Sequence, residues 1–210
     1  MLSNSDIYQN TEAGKGTVGG FFKFPNADNI YGISNNHVIA NLNNCNVGDP
    51  VFDIAGNQVG SLTHWFNLQP NVVNFIDAAL FECRQPFQTA WRINNNAVPK
   101  PLGFIEPKMG GHVYLMHSNN VARWGVISNP SINTTVNFTL GDNNYPFSKL
   151  IEISPTDGIP FSSTGNSGSI IMSSNHCIVG LLVGAETGGI KSYAVPFVNG
   201  ILNYLPLIIP

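Results

Sequence analysis

Short runs of β-prone residues, broken at close intervals by turn-forming residues, constrain this chain more than any other feature of its sequence. Its 210 residues include 28 Asn, 21 Gly and 14 Pro, which are common in turns and unfavourable inside helices. Residues 17–24 (TVGGFFKF) and 30–34 (IYGIS) flank the turn-rich PNADN, a pattern typical of a β-hairpin. This pattern excludes a helical bundle and predicts a small β-barrel or a β-sandwich.

Two sets of such runs are separated by residues 93–107, which hold three Pro and three consecutive Asn. Proline cannot donate to a sheet, so a paired central strand is not expected there. The tail from Phe197 carries apolar residues at the spacing of a short helix. The predicted organisation is therefore a mobile N-terminal segment, a first unit, a linker and a second unit that ends in the helix, at 1–15, 16–95, 96–107 and 108–210.

Charge excludes one class of partner. Nine Lys and Arg against 12 Asp and Glu give a net charge of −3, which provides no basic surface for nucleic acid. No apolar run reaches the length of a membrane span, and the opening MLSNSDIYQN lacks the features of a secretory signal. We therefore expect a cytoplasmic protein with no nucleic-acid or membrane partner. Its three cysteines, Cys45, Cys83 and Cys177, are expected to be buried free thiols.

A glycine-rich turn at residues 164–169 (TGNSGS) isolates one serine, Ser167, between small neighbours. A nucleophilic serine needs such neighbours, because backbone N–H groups must reach the oxyanion that forms on its substrate. A β-turn that contains a serine by chance is the alternative interpretation.

A serine hydroxyl also needs a general base and, beyond it, a carboxylate. Among five histidines, His37 follows the strand-like YGIS and precedes the apolar VIA, at a strand end beside the core. Asp77 lies in the β-prone FIDAALFE, where a buried carboxylate is costly unless it meets a donor. A core histidine and a surface aspartate are the respective alternatives.

Together the segments NNHV at 35–38, DAA at 77–79 and GNSG at 165–168 resemble the three motifs of trypsin-like, chymotrypsin-fold serine peptidases. The NNHV and GNSG forms are most similar to the bacterial HtrA-like branch, although no PDZ-like module is expected here. The resemblance covers residues 16–204. It implies an all-β fold of two six-stranded antiparallel β-barrels with a short C-terminal helix.

The resemblance also implies a role for each motif residue. Ser167 would attack the scissile carbonyl, His37 would act as base and then as acid, and Asp77 would orient His37. The N–H groups of Gly165 and Ser167 would form the oxyanion hole. No metal and no cofactor are implied, the partner would be a protein or peptide substrate, and the oligomeric state stays open.

Two positions depart from the family pattern. Asn166 stands where the digestive enzymes carry an aspartate that pairs with a newly cut N-terminus, and Ser169 replaces the usual second glycine. An amide gains little Coulomb energy from a buried ammonium. The chain is therefore expected to be active without proteolytic trimming.

Substrate preference is predicted from the same resemblance. Phe161, six residues before the serine, would form the floor of the specificity pocket, or else be a core residue. The walls would come from Val183, Gly184, Ala185 and Tyr193. Because none of these carries a charge, the sequence predicts cleavage after an apolar or small residue.

The function predicted from sequence is that of a serine endopeptidase. A catalytically inactive trypsin-like peptide-binding module is the alternative from another functional class. A non-peptide esterase on the same scaffold is a third possibility.

Overall fold

In the computed structural model of this chain, two large β-sheets are each wrapped round an apolar core of their own. The residues that it describes are 6–9, 15–84, 92–93, 96–97, 100–116, 121–138, 143–186 and 188–210. Within them, no helix has the length and apolar character that a membrane crossing requires. The predicted all-β, two-barrel fold is confirmed.

The first sheet has seven strands. Its elements are β1 (Asp6–Gln9), β2 (Gly16–Thr17), β3 (Gly20–Phe22), β4 (Tyr31–Ser34), α1 (Asn36–Ile39), β5 (Pro50–Asp53), β6 (Gln58–Trp65) and β7 (Ala79–Cys83). The strand order is β2-β1-β5-β6-β7-β4-β3, so the two edges, β2 and β3, are nearly consecutive in the chain and the sheet curls into a barrel. β3 and β4 pair antiparallel with Gly20 opposite Ile33, which confirms the predicted hairpin.

The second sheet closes on itself. Its strands are β10 (Gly103–Phe104), β11 (His112–Met116), β12 (Ala122–Asn137), β13 (Asn144–Pro155), β14 (Ile170–Ser173), β15 (Cys177–Ala185) and β16 (Ser192–Pro196). Before them in the chain, β8 (Arg92–Ile93) and β9 (Asn96–Ala97) form a separate two-stranded sheet. The order is β10-β15-β14-β11-β12-β13-β16, and β15 also pairs with β16. This last pairing closes β11 to β16 into a six-stranded barrel, with β10 lying parallel to β15.

Alternating side chains divide the interior into three apolar clusters. On β11, Val113 and Leu115 point into the second barrel, whereas Tyr114 between them joins a cluster that fills the space between the barrels. On β7, Phe81 points into the first barrel and Leu80 into the cluster between the barrels. The two-residue period of a strand thus lets one strand serve two cores.

The C-terminal tail ties the second barrel to the first. Its helix is a single 3₁₀ turn, Ile201–Asn203, and Ile201 and Leu205 are buried between the barrels. Beyond it, Ile208 and Lys23 exchange two backbone hydrogen bonds of 2.8 and 2.9 Å, at the end of β3.

Two predicted boundaries differ from the structure. Within the predicted mobile segment 1–15, β1 pairs with both β2 and β5, while residues 1–5 and 10–14 lie outside the described residues. Within the predicted linker 96–107, β10 pairs with β15. Both strands are held by backbone hydrogen bonds, which depend little on the identity of the side chains. The pattern of apolar residues therefore did not predict these two strands.

The three cysteines are free, but only Cys45 and Cys83 are buried. Burial raises the pKa of Cys45 to about 11 and that of Cys83 to about 12, so both stay protonated near neutral pH. Cys177 is partly exposed, which differs from the expectation for this residue.

β12 and β13 form a long hairpin, with strands of 16 and 12 residues. Its register shifts at three points between Ile127 and Thr134, and Pro130 lies in this irregular stretch, as a proline within a sheet requires. The far end of the hairpin binds the first barrel: Asn74 N donates to Pro146 O at 2.8 Å, and Ser148 N donates to Asn74 O at 2.9 Å. The hairpin therefore bridges the two barrels three residues before Asp77.

We predict that Asn74→Ala weakens the fold measurably. The buried Asn74 amide accepts from Gln69 N at 2.9 Å and donates to Gln69 O at 2.9 Å and to Val72 O at 2.8 Å. Leaving these groups unpaired should lower the free energy of unfolding by about 2–3 kcal/mol, measured by urea denaturation. The matched control is Asn44→Ala, an exposed asparagine, for which we expect a loss below about 0.5 kcal/mol. Equal losses in the two variants would show that the side-chain bonds of Asn74 contribute little to stability.

Candidate active site

A one-turn helix after β4 carries His37. Asn35 has an extended backbone, with φ −80° and ψ 154°, and its carbonyl accepts from the N–H groups of Val38 and Ile39. Val38 and Ile39 are buried in the first barrel, which fixes the orientation of the turn. The His37 side chain is consequently held at the barrel surface, where 12% of it is exposed.

Asp77 lies two residues before β7 rather than on a strand, and it is fully buried. Its Oδ2 lies 2.5 Å from His37 Nδ1, and its Oδ1 accepts from His37 N at 3.3 Å. A buried carboxylate requires such donors, since burial without them is strongly unfavourable. A carboxylate can only accept, so Nδ1 carries the proton and Nε2 is the ring nitrogen left to act as a base.

The two asparagines before His37 hold the backbone around this pair. Asn35 Nδ2 donates to Asp77 O at 2.7 Å. Asn36 Nδ2 donates to Phe66 O at 2.6 Å and to Asn43 Oδ1 at 2.7 Å. The NNH sequence therefore joins the histidine turn to the aspartate segment through buried amides.

The serine turn is shaped by two glycines and one amide. Gly165 and Gly168 have φ angles of +90° and +88°, which favour glycine. Asn166 Oδ1 accepts from Ser163 N at 2.8 Å and from Ser163 Oγ at 3.0 Å, so a neutral side chain holds the turn. Among the described residues, the N–H groups of Gly165 and Ser167 have no acceptor.

Thr17 of the first barrel binds this turn directly. Its N–H donates to Ser167 O at 2.8 Å and its hydroxyl donates to Gly165 O, also at 2.8 Å. Ser34 Oγ in turn donates to Thr17 O at 2.9 Å. These bonds hold the turn of the second barrel against β2 and β4 of the first.

Ser167 and His37 line the same cleft between the barrels. In this structure Ser167 Oγ donates to the carbonyl oxygen of Val183 at 3.0 Å, and it is not hydrogen-bonded to the His37 ring. A register shift in the β15–β16 ladder between Leu182 and Gly184 leaves Val183 without a partner residue on β16.

The cleft has a volume of about 960 Å³, and the structure brings most of the predicted residues to it. Those that line it are His37, Gly165, Ser167, Val183, Gly184 and Ala185. Phe161 does not line it, because its side chain is fully buried in the core of the second barrel with Ile127 and Ile153. The prediction that Phe161 forms an aromatic floor of the specificity pocket is therefore wrong. Tyr193 does not line the cleft either: it is buried, and its hydroxyl donates to the cleft residue Glu186.

The cleft residues that were not predicted include Lys15, Phe138 and Glu186. Phe138, at the end of β12, stacks on the His37 ring with centroids 4.3 Å apart and planes inclined by 23°. No local motif indicates this contact, since the hairpin brings it from the other barrel. Glu186 directly follows Ala185, the last residue of the predicted segment 183–185 of the cleft wall. A predicted segment longer by one residue would have included Glu186, and the cleft would then not have been expected to be uncharged.

Comparison of the sequence finds no matching family model and no matching curated protein. Solved structures do resemble the chain. Protease A of Thermobifida fusca superposes with a TM-score of 0.67 at 14% identity, over 98% of this chain and 97% of that one. A glutamic acid-specific serine protease that uses a histidine triad in substrate binding gives 0.70 at 12% identity, over 100% of both chains.

A third structure, chymotrypsin of Cellulomonas bogoriensis, gives a TM-score of 0.66 at 16% identity, over 100% of this chain and 99% of that one. These similarities show that the chain has the fold of chymotrypsin-like serine proteases. The predicted relation to the HtrA-like branch stays a prediction.

We predict that Gly168→Ala is strongly destabilising. A Cβ at this position would lie 2.3 Å from Ser34 Oγ and 2.4 Å from Thr17 O, at a φ of +88°. Separating the barrels enough to admit it should cost about 3 kcal/mol or more, measured by urea denaturation. Gly158→Ala is the matched control, since Gly158 has a φ of +73° but open space around it. The control should lose only about 1–2 kcal/mol, and equal losses would show that the contact with Thr17 and Ser34 is loose.

Proposed function

We propose that this chain is a serine endopeptidase that hydrolyses peptide bonds through an acyl-enzyme, with Ser167, His37 and Asp77 as its catalytic residues. The observation that carries the proposal is the pairing of His37 with the fully buried Asp77 in the cleft that Ser167 lines. The fold shared with chymotrypsin-like serine proteases supports it.

In the first half of the reaction, Ser167 Oγ attacks the scissile carbonyl carbon and its proton passes to His37 Nε2. The negative charge that develops on the carbonyl oxygen is met by the N–H groups of Gly165 and Ser167, which have no acceptor among the described residues. His37 then gives the proton to the leaving amine as the C–N bond breaks. The buried Asp77 carboxylate stabilises the imidazolium that exists between these two transfers.

In the second half, water attacks the ester at Ser167. His37 Nε2 takes a proton from the water and returns it to Ser167 Oγ as the acid product leaves. The Nδ1 bond to Asp77 keeps Nε2 turned to the cleft in both halves.

Attack requires Ser167 Oγ to leave Val183 O and turn towards His37. Substrate itself can release it, because the N–H of the residue that carries the scissile carbonyl is a competing donor for Val183 O. Catalytic hydrogen bonds in free enzymes are often long or misaligned and tighten only when substrate binds.

The bond between Ser167 and Val183 also favours one alternative, a catalytically inactive peptide-binding module on the same fold. Reaction with a fluorophosphonate distinguishes the two functions, since only an activated serine is phosphonylated. An esterase would be labelled as well, but it would turn over esters without cleaving any member of a peptide library.

We predict that Ser167→Ala, His37→Ala and Asp77→Asn each lower the turnover rate on a good peptide by on the order of 10³–10⁴-fold or more. The double change of Ser167 and His37 should resemble the worse single change, because the residues act as one unit. The measurement is the kcat of peptide cleavage for each variant.

Matched controls come from exposed residues outside the cleft: Ser174→Ala, His112→Ala and Asp157→Asn. Each should keep near-normal turnover. Hydrolysis that survives Ser167→Ala at a normal rate would remove Ser167 from the mechanism.

A further inference from the structure

A carboxylate lies in the wall of the cleft where the sequence predicts an uncharged surface. Glu186 follows the last residue of β15 and lines the cleft with Ser167. The residues beside it, Ala185, Gly188 and Gly189, are small and leave room for a long substrate side chain. The predicted floor residue, Phe161, contributes nothing here, since it is buried in the barrel core.

Glu186 is held in place by its backbone and by its side chain. Its N–H donates to Lys191 O at 2.9 Å, and its carbonyl accepts from Gly189 N at 2.8 Å. Its Oε1 accepts from Tyr193 OH at 2.5 Å. Burial, with the hydrogen bond and charge of Glu186, raises the pKa of Tyr193 to about 12, so the phenol remains a donor through the neutral range. No described residue donates a hydrogen bond to the second carboxylate oxygen, Oε2, which can therefore bind a ligand.

The nearest cation on the same loop is already paired. Lys191 Nζ lies 2.8 Å from Glu152 Oε2, and Glu152 Oε1 also accepts from Ser128 Oγ at 2.6 Å. Burial alone would raise the pKa of Glu152, but these bonds and the Lys191 charge bring it below its usual range. In the described part of the chain, no Lys or Arg lies within ion-pair distance of Glu186.

The other charged cleft residue, Lys15, comes from the first barrel, directly before β2. It precedes Gly16, whose Cβ, if present, would lie 2.8 Å from Ser167 O on the β2 side of the serine turn. Glu186 instead follows the strand whose Val183 carbonyl lies 3.0 Å from Ser167 Oγ. The two charges therefore enter the cleft from different barrels.

The position of Val183 decides which part of the peptide faces Glu186. With the scissile carbonyl carbon against Ser167 Oγ, the N–H of the residue that carries this carbonyl is the peptide donor nearest to Val183 O. The side chain of that same residue enters a cleft that Val183, Ala185 and Glu186 line.

We propose that Glu186 is a specificity-determining residue that selects a cationic side chain, arginine or lysine, at the residue before the cut. This inference rests on the proposed peptidase function and deepens it. It replaces the preference for an apolar residue that an uncharged lining would give. A cationic side chain in the cleft can pair with the Glu186 carboxylate, whose orientation is fixed by the hydrogen bond from Tyr193, whereas an apolar side chain forms no such pair.

The test uses two fluorogenic peptides that differ only before the cut, one with arginine and the other with its neutral isostere citrulline. The wild-type protein should prefer arginine by roughly two- to fivefold in kcat/KM at low salt. The preference should shrink as salt is added, because Glu186 is exposed and screened. Glu186→Gln should bring the ratio of the two rates close to one.

Two controls separate charge recognition from general damage. Glu106→Gln removes an exposed carboxylate that is bonded only to Asn199 among the described residues, and it should leave the arginine preference unchanged. Phosphonylation of Ser167 in the Glu186→Gln protein should stay within about twofold of wild type, because only the substrate-selecting group is altered.

The outcomes are distinguishable. If Ser167 is labelled and peptides are cut, but arginine and citrulline are equivalent or Glu186→Gln leaves their ratio unchanged, the inference fails and the peptidase proposal stands. If Ser167 is neither labelled nor able to cut peptides, the peptidase proposal fails. Binding of the same two peptides to the Ser167→Ala protein, measured by fluorescence anisotropy, then decides the inference: equal affinities overturn it.

Discussion

Three hydrogen bonds centred on Thr17 hold the serine turn of the second barrel against the first. They join Thr17 to Ser167, Gly165 and Ser34, and the absence of a side chain at Gly168 permits the close approach. His37 and Ser167 come from different barrels, so any sliding of one barrel on the other would separate them. In the proposed peptidase, misplacement by about an ångström would lower the rate around a hundredfold. The alignment of the site therefore depends on this contact.

The site also depends on the stabilisation of a buried negative charge, that of Asp77. Asp77 is fully buried, and its carboxylate is stabilised by donors from His37 while Asn35 holds its backbone. The β12–β13 hairpin closes the same region: it binds Asn74, three residues from Asp77, and it stacks Phe138 on His37. The β12–β13 hairpin of the second barrel thus contacts both the histidine and the segment that carries the aspartate of the first. The same contacts therefore stabilise the fold and position these two side chains.

Sequence reasoning was accurate where a local pattern carries the information and inaccurate where distant residues meet. Alternation and turn residues predicted the β3–β4 hairpin, because both follow from short-range backbone preferences. Phe161 was assigned to the cleft by its distance from Ser167 along the chain, yet its side chain points into the barrel. A shift of one position along an extended backbone reverses the direction of a side chain, so counting residues cannot decide this. Its neighbours Pro160 and Ser162 do line the cleft.

The sequence by itself determined the β-rich class, the β3–β4 hairpin and the choice of candidate site residues, since these depend on composition, turn chemistry and short motifs. Only the tertiary structure decided which groups meet. Phe138 reaches His37, Thr17 reaches Ser167, and Tyr193 reaches Glu186 through packing between elements that lie far apart in the chain or on separate strands. The physical reason is that burial and hydrogen bonding act over a few ångströms in space, whereas a motif records only distance along the backbone.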